Sequence, residues 1–562
     1  MDKNKSLATE KPLNLALKNH QEGKTDIALV FYNQVLMIDP DHFQTLNNMG
    51  VIFSNSQEFK KAKDCYEKII EINPNYSEAH NNLGIIFKDL GENQKAKSCY
   101  EKAIAINPNY AEAHNNLGII FKELEEYKKA KSCYKKAIEI NPNYAHVYNN
   151  LGNIFNQLGE NQNAKEYYKK AIEINPNYDH AHHNLGNILK TLKDYQKAKE
   201  CYEKSIEINP NYSQAHNNLG LTFDELRENQ KAKDCYEKAI AINPDYAEAH
   251  NNLGIIYKKL GENQKAKSCY EKAIAINPDY ALPHYNLGII FKEFNDYQKA
   301  KTCYEKAIEI DHNYADAHYN LGNVFVALGE NQKAKSCYEN VIRINPNHTL
   351  TYNNLGIIFV ALKDYQKAKS CYKKAIAIKP DYAEAHNNLG LIFKELRENQ
   401  KAIDCFKKAI EINPNYADAH SNLGIIFLAL KDYQKAKSCY EKAIAIKPDY
   451  ADSHYNLGNL FILLEENQKA KSCYEKAIEI NPNHINAYFN LGVIYTGLRE
   501  YQKAKTCYEK AIKIYPNHVN AHNNLGILFK ELGYLEKAKI CYEKAIEINP
   551  NDAKTYNNLG NI

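Results

Sequence analysis

The chain has 562 residues, and its 72 Lys and Arg nearly balance its 68 Asp and Glu, which leaves a formal net charge of +4. This balance gives no electrostatic reason to expect a nucleic acid or an anionic membrane as a partner. The N-terminal segment lacks the apolar core of a secretory signal, and no segment approaches about 18 consecutive apolar residues. We therefore expect a cytoplasmic protein.

One unit of 34 residues recurs without insertion from residue 9 to residue 552, which gives 16 copies. We number its positions from Ala111, so that Tyr144 is position 34. Eight residues precede the first copy, and the last ten begin another one. The predicted domains are an N-terminal tail (1–8), sixteen tandem units (9–552) and an incomplete unit or capping helix (553–562).

Each unit is predicted to form two helices, because its apolar residues recur at helical spacing. In the unit that starts at Ala111, the first helix carries an apolar stripe at Ala113, Leu117, Ile120, Phe121 and Leu124. The second helix brings Ala130, Cys133, Tyr134, Ala137 and Ile138. One such pair cannot bury its apolar faces alone, so stacked neighbours must share a continuous core. The pattern predicts an all-α solenoid.

The ends of the helices also have signals. Pro142 ends the second helix, because the residue before a proline avoids the α region. We expect Asn143 to cap the next helix, and Asp245–Glu248 outlines a capping box. Gly118 is expected to face Ala130, so that the two helices of a unit approach closely.

The repeated residues resemble the tetratricopeptide repeat family. They are Leu117, Gly118, Phe121, Ala130, Tyr134, Ala137 and Pro142, at the 34-residue period of that family. Position 4, often Trp or Tyr in the family, is mostly His here. The resemblance implies a right-handed superhelix whose first helices line a concave groove. It does not by itself name a ligand.

Position 6 is Asn in every copy, although Asn is a poor residue for a helix interior. An Asn amide offers a donor and an acceptor, so a row of them can pair with the backbone of an extended peptide. The array is similar in this respect to the repeats of O-linked N-acetylglucosamine transferases. The alternative is that the amides brace neighbouring repeats. The candidate groove amides are Asn82, Asn116, Asn150, Asn184, Asn218, Asn252, Asn286, Asn320, Asn354, Asn388, Asn422 and Asn456. Position 5 varies, so we expect it to be less constrained.

Apolar residues share this predicted face with the amides. The candidates are Ile119, Ile255, Ile357, Ile425, Val360, Leu428 and Ile462. Positions 12 and 13 are mostly polar early in the chain and turn apolar later, which predicts an apolar patch between about residues 320 and 465. The alternative is additional packing between repeats.

Other reactive residues are interpreted as structural. All 14 Cys occupy position 23, and equivalent residues on packed helices lie too far apart for disulfides. Most His occupy position 4, which indicates architecture and not one catalytic centre. His180, His182 and His183 form a local cluster for which weak metal binding is the less favoured alternative. No phosphate-binding loop occurs, and no cofactor or metal is predicted.

These observations predict a non-enzymatic scaffold that binds proteins or extended peptide segments in a concave groove. No feature indicates a particular oligomeric state. One alternative is the substrate-recognition region of a larger transferase whose catalytic domain is not in this chain. The other is a structural rod that makes contacts through its convex face.

Overall fold

A computed structural model describes the backbone from residue 3 to residue 562, and this part of the chain contains 33 α-helices and no β-strand. The first helix of each repeat, called the leading helix here, has an odd number. The leading helices are α1 (Lys3–Gln21), α3 (Phe43–Asn55), α5 (Ser77–Asp89), α7 (Ala111–Glu123), α9 (Ala145–Gln157), α11 (Asp179–Thr191), α13 (Ser213–Glu225), α15 (Ala247–Lys259), α17 (Ala281–Glu293), α19 (Ala315–Ala327), α21 (Thr349–Ala361), α23 (Ala383–Glu395), α25 (Ala417–Ala429), α27 (Ala451–Leu463), α29 (Ile485–Gly497), α31 (Val519–Glu531) and α33 (Ala553–Gly560).

The second helix of each repeat is the trailing helix and has an even number. The trailing helices are α2 (Thr25–Ile38), α4 (Phe59–Ile72), α6 (Asn93–Ile106), α8 (Tyr127–Ile140), α10 (Asn161–Ile174), α12 (Tyr195–Ile208), α14 (Asn229–Ile242), α16 (Asn263–Ile276), α18 (Tyr297–Ile310), α20 (Asn331–Ile344), α22 (Tyr365–Ile378), α24 (Asn399–Ile412), α26 (Tyr433–Ile446), α28 (Asn467–Ile480), α30 (Tyr501–Ile514) and α32 (Leu535–Ile548). The prediction of an all-α solenoid of about sixteen repeats is confirmed. Because α1 begins at Lys3, most of the segment expected to precede the first repeat is helical.

The chain divides into two compact units, Met1–Leu287 and Gly288–Ile562. In both units the core consists of the same repeat positions. In the repeat from Ala111, the leading helix buries Leu117 and Ile120, and the trailing helix buries Ala130, Tyr134 and Ala137 completely. Burying a side chain of the size of Leu117 or Ile120 contributes about 1.5–3 kcal/mol to the stability of the fold. The core is therefore a series of equivalent layers.

The close approach within a repeat involves a glycine and a tyrosine ring. A Cβ added at Gly118 would lie 2.6 Å from Cε1 of Tyr134, well inside ordinary van der Waals contact. The aromatic ring of position 24 therefore occupies the space above the glycine, and the expected approach of Gly118 to Ala130 stays a prediction. The same contact recurs in later repeats, including Gly254 against Tyr270.

The helix starts differ from the sequence prediction. Tyr144, not Asn143, stands at the N-cap of α9, and its side chain makes no capping hydrogen bond. The Asn143 N–H instead donates to Oδ1 of Asn141 at 3.1 Å, which closes the turn after the trailing helix. The capping box predicted at Asp245–Glu248 is wrong for the same reason, since Tyr246 is the N-cap of α15.

The leading helices of successive repeats approach one another within each unit, as α7 and α9 do in the first unit and α25 and α27 in the second. Trailing helices of successive repeats do not come as close in the part of the chain described. Among residues 3–562, no helix combines the length and apolar character that crossing a membrane requires.

Candidate functional site: the inner face of the leading helices

The inner face is defined here by positions 2, 6, 9, 12 and 13 of the leading helices. At 3.6 residues per turn, positions 2, 6, 9 and 13 lie on one side of a helix, and position 12 lies beside them. In α7, Glu112 and Glu123 on this side are exposed, while Asn116 and Ile119 are half-buried. The opposite side of the same helix is buried in the core. The inner face is therefore the accessible surface that the leading helices present.

The position 6 amides link consecutive repeats. Nδ2 of Asn116 donates to Oδ1 of Asn81, at position 5 of the preceding repeat, over 3.0 Å. The same bond joins Asn252 to Asn217 at 3.1 Å. Equivalent bonds from position 6 to position 5 are made by Asn150, Asn184, Asn218, Asn286, Asn354, Asn388 and Asn422, at 2.9–3.2 Å. The bracing role that the sequence left open is thus present in the structure.

Two further position 6 amides have other partners. Oδ1 of Asn82 lies 3.4 Å from Nδ2 of its neighbour Asn81. Asn320 donates to the backbone carbonyl of Asp316 at 3.1 Å and accepts from Lys292 Nζ at 2.9 Å. Bracing does not saturate these side chains, because an Asn amide has two N–H groups and an oxygen with two lone pairs.

Position 5 is more constrained than the sequence suggested. Asn81, for example, is only 2% exposed, because it lies between two repeats. Where Tyr319 and Tyr455 replace Asn, their rings pack against the His at position 34, His348 and His484, with ring centroids 5.0 and 4.7 Å apart. The expectation of a relaxed position is corrected. Paired changes at positions 5 and 34 were the signal in the sequence that could have revealed this contact.

Position 9 decides whether a buried tyrosine finds a hydrogen-bond partner. Oδ1 of Asn153 accepts from the Tyr168 hydroxyl at 2.7 Å and from Nδ2 of Asn184 at 3.3 Å. Asn187, Asn323 and Asn459 make the same pair of contacts. Where position 9 is Ile, several hydroxyls are buried without a partner among the described residues. They are those of Tyr100, Tyr134, Tyr440 and Tyr542.

Asn456 is the amide that bracing leaves free. Position 5 of the preceding repeat is Ser421, whose short side chain accepts instead from Ser453 Oγ at 3.0 Å. The Asn456 side chain makes no hydrogen bond to any described residue, although it is half-buried. The Tyr440 hydroxyl of the preceding repeat is also unpaired. The network between repeats is therefore open at this step.

Apolar side chains are exposed on the inner face of the second unit. Ile357, Val360 and Ile462 are 43%, 36% and 38% exposed, although their side chains are aliphatic. Ile425 and Leu428 are half-buried, as are Ile119 and Ile255 in the first unit.

Two inner-face cavities combine these side chains with amides. One, of about 350 Å³, is lined by Ile357, Val360, Leu391 and Asn388 together with Tyr372. The other, of about 410 Å³, is lined by Ile462, Leu463, Val493 and Asn490 together with Phe489. In each cavity the amide lies beside apolar walls.

The Cys and His residues have structural surroundings. All fourteen thiols are free, and burial raises the pKa of Cys99 to about 11. Nε2 of His114 at position 4 hydrogen-bonds to the carbonyl oxygen of Pro108 at 3.0 Å, a contact that recurs through the array.

The histidine cluster is divided among separate contacts. Nδ1 of His180 lies 2.7 Å from Asp179, and Nε2 of His182 hydrogen-bonds to the Pro176 carbonyl at 3.0 Å. Burial lowers the pKa of His183 to about 4, and its Nε2 accepts from Asn218 at 2.9 Å. Among the residues whose side chains are described, no group of three potential ligands could hold a metal ion.

The fold and the inner face define a helical-repeat solenoid with an accessible surface on its leading helices. Sequence profiles of the tetratricopeptide repeat match nearly the whole chain. The matched segments are residues 43–76, 77–110, 111–144, 143–211, 178–245, 245–313, 313–381, 383–416, 417–483, 449–517, 483–551 and 541–562. The chain belongs to the tetratricopeptide repeat family.

Among curated proteins, no sequence matches the chain significantly. Solved structures with a similar fold include the APC/C hetero-tetramer Cut9-Hcn1, at 14% identity and a TM-score of 0.38, over 92% of this chain and 96% of that one. YrrB, described as a TPR protein with an unusual peptide-binding site, has 25% identity and a TM-score of 0.30, over 33% and 96%. PilF of Pseudomonas aeruginosa has 23% identity and a TM-score of 0.35, over 39% and 96%. With TM-scores this low, none of these structures indicates a function for the chain.

Proposed function

We propose that this protein is a non-enzymatic cytoplasmic scaffold that captures extended segments of other proteins on its inner face. Membership of the tetratricopeptide repeat family supports a protein-interaction role, since such repeats generally form non-catalytic scaffolds that bind proteins or peptides. Position 6 has two functions in this proposal. Most of its amides brace the array, and their remaining donors and acceptors face a ligand.

The observation that carries the proposal is the unpaired amide of Asn456 on an apolar surface. Ile425 and Leu428 precede it on α25, and Ile462 follows it on α27. The Asn456 amide is half-buried, its polar atoms are open to solvent, and no neighbouring repeat competes for them. A peptide backbone that passes Asn456 would supply both a carbonyl and an N–H to this amide.

The apolar cavities would add affinity and register. A leucine-sized side chain that leaves water gains about 1.5–3 kcal/mol, whereas one backbone hydrogen bond to an amide is worth about 1 kcal/mol net. The cavity near Ile357 and the cavity near Ile462 lie three repeats apart in the chain. An extended segment that occupies both would gain from multivalent contact.

The test compares two position 6 amides in consecutive repeats. Fluorescence anisotropy measures the binding of a panel of labelled synthetic peptides with varied apolar and charged content, and photo-crosslinking locates the bound peptide. We expect Asn456→Ala to weaken binding about five-fold, the equivalent of one hydrogen bond, without lowering the stability of the array.

The matched control is Asn422→Ala. Asn422 donates to Asn387 at 3.0 Å, so its loss should destabilise the interface between repeats and affect binding less. Crosslinks that map to trailing helices would favour the structural rod and contradict the proposal. Equal effects of both substitutions on stability, with no effect on binding, would show that position 6 only braces. A transferase-linked array would use the same inner face, and no observation favours that alternative.

A further inference from the structure

In the second unit, the inner face from α19 to α29 carries more carboxylates than basic groups beside its exposed apolar residues. We propose that the face formed by α19, α21, α23, α25, α27 and α29 selects extended segments in which apolar side chains alternate with Lys or Arg. This inference rests on the proposed function and specifies the chemistry of the segment. Three sets of groups carry it.

The first set comprises the charged residues of the six leading helices. Their carboxylates are Asp316, Glu384, Glu395, Asp418 and Asp452, all of them exposed at positions 2 or 13. Their one Lys or Arg is Lys394, whose Nζ lies 3.4 Å from Glu395. Five carboxylates therefore face one ammonium group, which is already paired. Nε2 of His484 lies 3.4 Å from Asp452, but the Asp452 side chain is still 73% exposed.

The second set comprises the turns that follow these helices. Four turns carry one residue of each sign, at Lys363–Asp364, Arg397–Glu398, Lys431–Asp432 and Arg499–Glu500, and the turn after α19 carries Glu330. The turn after α27 carries Glu465 and Glu466, and Glu466 pairs with Lys469 in the first turn of α28. The turns therefore bring no excess of basic residues that would offset the carboxylates of the inner face.

The third set comprises positions 12 and 13, where the two units differ. In four of the six leading helices these positions are Val326–Ala327, Val360–Ala361, Leu428–Ala429 and Ile462–Leu463, with Leu463 56% exposed. The other two helices have Lys394–Glu395 and Thr496–Gly497 there. In the first unit they carry both signs, as in Lys88–Asp89 and Lys122–Glu123. Apolar steps next to carboxylates are complementary to a segment that is apolar and cationic. The first unit also has carboxylates, as in Asp224–Glu225, but lacks the apolar residues at positions 12 and 13. An acidic face also repels nucleic acid and anionic lipid.

The experiment uses the full chain and three synthetic peptides of about twelve residues. The first repeats Gly-Leu-Lys, the second replaces each Lys by Glu, and the third replaces each Leu by Ser. The glycines disfavour helix formation in all three peptides. We expect the Leu-Lys peptide to bind most tightly, and either replacement to weaken binding at least ten-fold. Binding of the Leu-Lys peptide should weaken as salt rises, because exposed charges are screened.

Charge-neutralising variants locate the effect. Asp418→Asn combined with Asp452→Asn should weaken the Leu-Lys peptide about two- to five-fold for each carboxylate, as expected for exposed ion pairs. The matched control, Glu112→Gln combined with Glu248→Gln on the first unit, should leave binding unchanged. Circular dichroism of both variants confirms that the helices are intact.

The outcomes separate this inference from the proposed function. If the Leu-Glu peptide binds as tightly as the Leu-Lys peptide, the cationic preference is wrong and peptide capture stands. If none of the peptides in this set or in the wider panel binds, both ideas are wrong. If sedimentation shows that the second unit pairs with another copy through this face, the apolar residues serve self-association and the inference is overturned.

Discussion

Gly254→Ala separates helix propensity from packing, because the two effects have opposite signs at this position. Ala is favoured over Gly within a helix by about 1 kcal/mol, so propensity alone predicts stabilisation. However, the new Cβ would lie 2.5 Å from Cε1 of Tyr270, whose side chain is completely buried. Ordinary contact needs at least 3.4 Å, so the ring or the helix must move by about 1 Å.

A buried ring that must shift this far places the overpacking cost near the upper part of its usual range, about 3 kcal/mol. After the gain in helix propensity, the expected net destabilisation is about 2 kcal/mol, or a roughly 30-fold rise in the local opening equilibrium. Hydrogen exchange followed by mass spectrometry should show this rise in α15 and α16. The effect should fade in distant repeats, because contacts in a solenoid are mainly between neighbours.

Gly497→Ala is the matched control. Gly497 is also helical, but a Cβ there would meet nothing within 4 Å. This variant should be stabilised slightly, by about 0.5–1 kcal/mol. If Gly254→Ala slows exchange to the same extent as Gly497→Ala, the close contact between positions 8 and 24 does not constrain the fold.

Three further predictions concern buried polar groups. Asn153→Ile should leave the Tyr168 hydroxyl without an acceptor and destabilise its repeat by about 1–3 kcal/mol in a chemical denaturation experiment. The reciprocal Ile119→Asn should be neutral or stabilising. If Ile119→Asn is the more destabilising of the two variants, the role of position 9 is contradicted. Alkylation of Cys99 at neutral pH should be about 100-fold slower than that of an exposed thiol and should accelerate toward pH 11. Mass spectrometry measures the alkylation rate, and a rate equal to that of an exposed thiol would refute the burial of Cys99. An NMR titration should give His183 a midpoint near 4. Since folding favours its neutral form, its contribution to stability is complete above the unfolded pKa of about 6.5 and is lost as the pH falls from there to about 4; a midpoint near 6.5 would show that the ring is solvated.

Periodicity alone was sufficient to predict the repeats. A 34-residue unit without insertions places every helix pair in register, and Pro142 and its equivalents mark the helix ends closely. The exposed apolar residues of the later repeats also followed from the sequence, because Val360 and Ile462 fall on the side of the helix opposite to the core stripe. Whether these residues bind a ligand remains a prediction.

Contacts between repeats were harder to predict. Helical periodicity gives the direction of a side chain relative to its own helix, but not the neighbour that it meets. The variation at position 5 therefore suggested a weakly constrained position. In the structure, an aromatic ring at position 5 is accommodated because it packs against a histidine of the same repeat, His348 or His484. The free amide of Asn456 was hidden for the same reason, since its cause is Ser421 in another repeat.

Because the repeats are nearly identical, an array of this kind offers a ligand many equivalent positions along its length. A segment that gained equally from each repeat could slide by one unit at no cost in energy, and its place along the array would be undefined. Ser421 makes one repeat different from its neighbours, because its short side chain does not accept a hydrogen bond from the Asn456 amide. A single small side chain can thus give a ligand one preferred position along an otherwise uniform array. Moving that serine to another repeat would move the preferred position with it.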